Sequence, residues 1–182
     1  MNVSVFAGSA DGTQKMQQDA VELGRMLAQN GHTILQGGST AGLMGMALNE
    51  FQKYSDDVEI VIPRRYMTEF KGLKCKELHV TATLGERIET FMALSDFAVA
   101  LPGGTGTLHE ILSAAEMSGH EFNGRIAAIN TQGYYEGLKT QIAAGQTLGL
   151  VRAEAPVMFV NTVKELESVL AKKSKDIDSK AQ

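Results

Sequence analysis

Ten residues, Leu101 to Glu110, carry the densest chemical signal in this 182-residue sequence. Reading LPGGTGTLHE, they join an apolar run to a glycine-rich turn and then to a helical pattern bearing a carboxylate. Gly103, Gly104 and Gly106 have no Cβ, so turn dihedrals are open to them and their backbone N–H groups can approach an anion closely. Thr105 and Thr107 add hydroxyl donors at a helix N-terminus, whose partial positive charge favours the same anion. Glu110 falls one turn further on, close enough to act as an acid or base on whatever the turn holds. Types and spacing together predict a phosphate cradle with an acid/base group built in.

Two more blocks follow apolar runs in the same way. Ala7-Gly8-Ser9 comes after VSVFA, and GGSTAGLMG, Gly37 to Gly45, comes after TIL. Alone, the second block also reads as a tight strand-to-helix turn, with Gly42 and Gly45 chosen for close helix packing. Arg87, in LGERIETF, is the candidate partner for Glu110; beside Glu86 and Glu89 it reads equally as an ion-pairing residue on a solvated helix face. Glu89 is an accessory candidate on the same helix, and His109 reads as a packing or solvent neighbour.

The elements that must position these groups are a βαβ series. Short apolar runs alternate with longer segments of helical period: VSVFA, residues 14–29, TIL, residues 43–51 and EIVIP. In the first helix Met16, Ala20, Leu23 and Leu27 recur every three or four residues, and Asn30-Gly31 supplies a stop. Later strands are FAVAL (97–101), RIAAIN (125–130) and PVMFV (156–160), each nearly all apolar, as strands covered on both faces require. The predicted fold is α/β: one doubly wound domain over residues 1–172, a mostly parallel sheet flanked by helices. A last helix is expected over Val163 to Lys172, with residues 173–182 a disordered tail of low hydrophobicity. In such open sheets a ligand sits beyond the carboxyl ends of the strands. The three glycine blocks are therefore expected to converge on one crevice.

Composition narrows the function classes. A formal charge of −4 gives no bulk attraction for nucleic acid or an anionic membrane, and no apolar run approaches the length of a membrane span. With neither a basic start nor a long apolar run at residues 1–10, the expected address is the cytoplasm. Cys75 is the single cysteine and reads as an inert thiol, and the four histidines lack metal-ligand spacing, so neither disulfide nor metal is expected. Neither glycine block follows GxGxxG, so no dinucleotide cofactor is predicted. The basic run Arg64 to Lys76 reads as a lid over the crevice or a solvated helix.

Pro102 to Glu110 fit PGGxGTxxE at every fixed position, and that pattern resembles the Lonely Guy (LOG) family of Rossmann-like nucleotide phosphoribohydrolases, often labelled lysine-decarboxylase-like. GGSTAGLMG resembles the family's GGGxxGLMG, AGS its opening CGS, and GYYEGL, Gly133 to Leu138, its late GYYDxL. The resemblance implies hydrolysis of the N-glycosidic bond of a nucleoside 5′-monophosphate to free base and ribose 5-phosphate. It implies Arg87 and Glu110 as the catalytic pair, with Gly8, Ser9, Gly37, Gly38, Gly103, Gly104, Thr105, Gly106 and Thr107 binding substrate. It also implies a homodimer, packed through the helix after PGGTGT, and no cofactor.

Departures from the family bear on substrate. Leu84, Gly85 and Ile88 stand where the family has Met, His and Lys, Ser39 replaces a glycine, and AAEMSG (114–119) replaces a TWAQLG-like stretch of cytokinin-active members. AMP is thus expected ahead of a cytokinin riboside 5′-monophosphate. The alternative reading is a binding protein that carries a phosphorylated ligand, such as a molybdenum cofactor, without turning it over. The presence of both Arg87 and Glu110 favours the enzyme, because a carrier needs the cradle but not the carboxylate.

Overall fold

The computed structural model describes residues 1–68, 70, 72–119, 122, 124–152 and 157–180, with side chains as far as residue 173. Seven strands form one sheet in which every pairing is parallel: β1 (Asn2–Phe6), β2 (Thr33–Gln36), β3 (Val58–Pro63), β4 (Glu77–Thr81), β5 (Phe97–Ala100), β6 (Ile126–Ile129) and β7 (Val157–Val160). Their order across the sheet is β4-β3-β2-β1-β5-β6-β7. The chain winds outward from β1 to the β4 edge, returns to place β5 beside β1, and then winds outward the other way. The switch between β1 and β5 opens the crevice that such topologies use for ligands.

Among the described residues six α-helices cover the sheet: α1 (Gln14–Gln29), α2 (Gly42–Phe51), α3 (Leu84–Leu94), α4 (Thr105–Met117), α5 (Glu136–Thr147) and α6 (Val163–Lys180). The period-two alternation of the strands divides the core. Val3, Val5, Ile34, Ile60, Ile62, Val99 and Ala127 pack under Leu23, Leu27, Leu48 and Phe51 of α1 and α2, and under Leu166 and Leu170 of α6. Phe6, Leu35, Val61, Ala98, Ala100 and Ala128 face Phe91, Met92, Ile111 and Ala114 of α3 and α4. β1, β2, β3, β5 and β6 are thus buried on both faces, which is why they read as apolar runs.

The helix carrying Arg87 starts with a reciprocal cap. Thr83 Oγ1 accepts from the N–H of Glu86 at 3.0 Å, and Glu86 Oε2 accepts from the N–H of Ala82 at 2.6 Å. Further along, Phe91 is fully buried and meets Phe6 edge-on at 5.3 Å.

Three expectations change. A strand, β4, follows the basic run; with its side chains partly or wholly exposed except Thr81, it lacks the all-apolar signature of the others. The solvated-helix reading of the basic run gives way: among its described residues the helical element is a single 3₁₀ turn, Arg64–Tyr66, while Tyr66 and Phe70 lie against the crevice and leave the lid reading standing. Lys74 and Lys76 pair with Asp56 and Asp57 at 2.6 and 3.6 Å. The last helix, expected to end at Lys172, continues to Lys180. Pro156 lies outside the described residues. Among the described residues no helix is long and apolar enough to cross a membrane.

Phe91 ties α3 to β1 through its ring contact, so Phe91→Ala is expected to lower the free energy of unfolding by about 3–5 kcal/mol. Urea denaturation with an unchanged m-value checks it.

Candidate active site

The three glycine blocks meet at the switch point, and backbone hydrogen bonds lock them together. The N–H of Gly8 donates to Pro102 O at 3.2 Å, joining the first block to the loop after β5. The N–H groups of Met44 and Leu43 donate to Gly8 O and Ala10 O, each at 3.2 Å, joining the first block to the second. Such close approach excludes side chains. A Cβ on Gly103 would lie 2.8 Å from the nitrogen of Gly8 and collide with Thr107 Oγ1. A Cβ on Gly37 would collide with Arg87 Nη2.

The loop after β5 feeds α4 through Gly104 as its N-cap residue, with the N–H of Leu108 donating to Gly104 O at 3.1 Å. The first N–H groups of a helix have no intrahelical acceptor and are available to an anion. Gly104, Thr105 and Gly106 are exposed there, while Thr107 is buried against Gly103. Gly8 is partly buried and Ser9 exposed at the crevice floor.

Arg87, on the first turn of α3, reaches across to Glu110 on α4. Nη2 lies 3.6 Å from Oε1, with both side chains largely buried, at 16% and 8% exposure. That is contact range for charges but longer than a direct hydrogen bond. The guanidinium also lies 5.3 Å from the ring centroid of Phe91, a cation–π approach, and its Nε is buried with no hydrogen-bond partner among the described residues. Burial raises the Glu110 pKa to about 7, with the nearby Arg87 charge opposing the rise. A carboxyl group at that value exchanges its proton near neutrality, as acid/base chemistry requires.

A cavity of about 430 Å³ opens on the β2 and β3 side of this pair, lined by Ser9, Gly37, Gly38, Met44, Tyr66, Phe70 and Arg87, with Ile62 and Pro63 beside them. Glu110 and the Gly103–Thr107 loop do not line it; they lie on the α4 side. Arg87 spans both halves, touching Gly37 on one side and Glu110 on the other. Glu89 is exposed, as is His109. Tyr66 and Phe70, not named from the sequence, are cavity walls; they sit in the basic run that reads as a lid over the crevice. Residue reading also missed the hydrogen bonds of Tyr134 to Gly103 O and of Tyr135 to Leu101 O, at 2.6 and 2.7 Å. The GYYEGL segment was the available signal for these. Away from the crevice, cross-strand neighbours Glu59 and Glu77 meet His79, whose Nε2 lies 3.0 Å from Glu59 Oε2.

Fold and site define an open, doubly wound α/β protein of the Rossmann-like class, with a ligand crevice at its topological switch point. The family described as "Possible lysine decarboxylase" matches residues 26–172. Cytokinin riboside 5′-monophosphate phosphoribohydrolase LOG3 of Arabidopsis thaliana is 32% identical over 171 residues, which cover 90% of this chain and 79% of that protein. The rice enzyme of the same name, LOG of Oryza sativa subsp. japonica, is 30% identical over 173 residues, 92% of this chain and 71% of that protein. This chain belongs to that family, the Lonely Guy (LOG) group. The molybdenum cofactor carrier protein of Chlamydomonas reinhardtii shares the fold, with a TM-score of 0.72 at 20% identity over 96% of this chain and 98% of the other.

Glu110 makes stability depend on pH. Its folded-state pKa of about 7 lies above the ordinary value of 4.5, so between those values the folded chain holds a proton the unfolded chain has lost, and stability falls as pH rises. The loss is about 3 kcal/mol once pH exceeds both values. Glu110→Gln carries no such charge and is expected to gain on the wild type by that order between pH 5 and pH 8, as measured by chemical denaturation at each pH.

Proposed function

We propose that this protein is a phosphoribohydrolase, cleaving the N-glycosidic bond of a nucleoside 5′-monophosphate to free base and ribose 5-phosphate. The observation that carries the reading is the Arg87–Glu110 pair, 3.6 Å apart and largely buried beside a glycine-rich helix N-terminus. The phosphate would rest on the N–H groups and hydroxyl of the Gly103–Thr107 loop, with Gly8 and Ser9 beneath. Cleavage builds positive charge on the ribose, and ionised Glu110 stabilises it while orienting or deprotonating the attacking water. Arg87 holds a ribose hydroxyl or phosphate oxygen with its planar fork and keeps the carboxylate in place. Gly37 and Gly38, with the apolar wall of Met44, Ile62, Tyr66 and Phe70, would receive the base. In this reading that wall would take the base of AMP, expected first, or the apolar substituent of a cytokinin riboside 5′-monophosphate, the substrate in the names of the LOG relatives.

The active unit in this reading is a cytoplasmic homodimer. Exposed Leu112, on α4, stands with Leu150 in a groove completed by Ala115, Ile142 and Val151, and Leu148 is exposed nearby. Light scattering is expected to give twice the chain mass, and Leu112→Asp with Leu150→Asp to give the monomer.

Chromatography of base and ribose 5-phosphate from AMP, GMP, IMP, CMP and prenyl-adenosine monophosphate tests the activity. Wild type should release base, Arg87→Ala and Glu110→Gln should lower kcat by about 100-fold or more, and kcat/KM should rise with pH to a plateau above about 7. Failure to cleave any nucleotide overturns the hydrolase reading in favour of a carrier of a phosphorylated ligand.

A further inference from the structure

The peptide between Gly103 and Gly104 joins a residue packed against Gly8 and Thr107 to one with open space around it. Neither residue has a side chain, and around Gly104 even an added Cβ would meet nothing within 4 Å. A peptide flanked by two glycines can flip at little steric cost. Its C=O and N–H point in opposite directions from one plane, so a flip would exchange a donor for an acceptor at the anion.

Among the described residues, a hydrogen bond to the Gly103 carbonyl opposes that flip. Tyr134 donates its hydroxyl to Gly103 O at 2.6 Å, and its neighbour Tyr135 donates to Leu101 O at 2.7 Å, on the other side of Pro102. We propose that Tyr134 and Tyr135 are positioning residues of the phosphate cradle: Tyr134, by holding the Gly103 carbonyl toward itself, fixes the Gly104 N–H of the same peptide as a donor to the bound phosphate, and Tyr135 anchors the loop that leads into it at the Leu101 carbonyl. The inference rests on the phosphate-cradle part of the proposed function and adds the residues that set its polarity.

The tyrosines are themselves fixed by a turn that is anchored on every side. Asn130, at the end of β6, donates its N–H to Val160 O at 2.7 Å and accepts from the N–H of Tyr135 at 2.7 Å, while its amide group donates to Glu136. Thr131 donates to Asp19 Oδ2 at 2.5 Å, and Asp19, buried in α1, also holds Lys15 at 2.6 Å. Gln132 occupies the left-handed region at φ 54°, unusual for a residue with a side chain, and accepts from the Thr13 hydroxyl at 2.7 Å. Thr13 is the N-cap of α1. Thus the turn after β6 is tied to the helix after β1, and it presents two hydroxyls to the loop after β5. An unanchored turn would have no need of a strained residue; this one is held by contacts that over-determine it.

The test separates phosphate positioning from general stability. Tyr134 is half exposed, so Tyr134→Phe removes one hydroxyl with little loss of packing. Calorimetric titration with ribose 5-phosphate is expected to show binding weakened about fivefold or more, the scale of one net hydrogen bond. Binding of adenosine, which has no phosphate, and the melting temperature should stay at wild-type values. Tyr135→Phe should weaken ribose 5-phosphate in the same direction and also lower the melting temperature, because Tyr135 is buried. Unchanged ribose 5-phosphate binding in Tyr134→Phe overturns the proposal while leaving a cleaving wild type a hydrolase. Equal weakening of adenosine and ribose 5-phosphate, with a lowered melting temperature, overturns it as mere loosening. A wild type that binds ribose 5-phosphate but cleaves nothing ends the hydrolase reading alone, and the ratio of dissociation constants still decides the tyrosines. A wild type that binds no ribose 5-phosphate overturns both.

Discussion

Burying a carboxyl group is unfavourable unless something stabilises its charge, and the site of this protein is organised around that constraint. Glu110 is enclosed enough that burial dominates its acidity, and a single guanidinium at 3.6 Å opposes it. Had Arg87 made a close bidentate bridge, the carboxylate would be held ionised and fully occupied with its partner. Had Arg87 been absent, nothing would oppose the rise that burial causes, and the proton would be held more tightly still. The looser contact leaves Glu110 balanced near pH 7 and leaves donors on the guanidinium for a ligand. Both side chains come from helices on one face of the sheet, so their separation is set by how α3 and α4 pack on Phe6, Ala98, Ala100 and their neighbours.

Backbone architecture supplies the rest. Parallel strands need crossovers, and the reversal of winding direction between β1 and β5 leaves two adjacent strand ends whose loops part company. The glycine blocks fill that gap at distances only glycine tolerates, and hydrogen bonds from Gly8, Leu43 and Met44 make one floor of them. A donor surface built from backbone has no side-chain rotamers to order when an anion arrives, which limits the entropy lost on binding. Its weakness is peptide orientation. The tyrosine hydroxyls facing Leu101 and Gly103 address it at the two carbonyls that border the cradle.

Much of this was legible in the chain itself. Helix α1 has the bounds its apolar spacing predicts, residues 14–29, and the β5 glycine block runs into α4 at Thr105 as its composition requires. Strands buried on both faces announce themselves by unbroken apolar runs. β4 does not, because it is an edge strand whose half-exposed residues become a strand through pairing with β3. A place over the crevice was legible for the basic run, but not that Tyr66 and Phe70 are the residues in it that wall the cavity. Arg87 is the clearest case: beside Glu86 and Glu89 it looks like one more surface charge. In the fold Glu86 turns back to cap α3 at Ala82, Glu89 faces solvent, and Arg87 alone of the three crosses to α4.

The sequence by itself therefore determined what depends on neighbours along the chain: the alternation of strands and helices, the glycine-rich turns, and a carboxylate one turn into the helix that follows. These are properties of local periodicity and backbone freedom, and they survive without knowledge of what lies opposite. The tertiary structure alone decided which charges meet, how far apart they stand, and how dry their surroundings are. Those quantities depend on packing between segments remote in sequence, and the acidity of Glu110 depends on them in turn, because burial and a charge from another helix set it rather than any residue beside it in the chain.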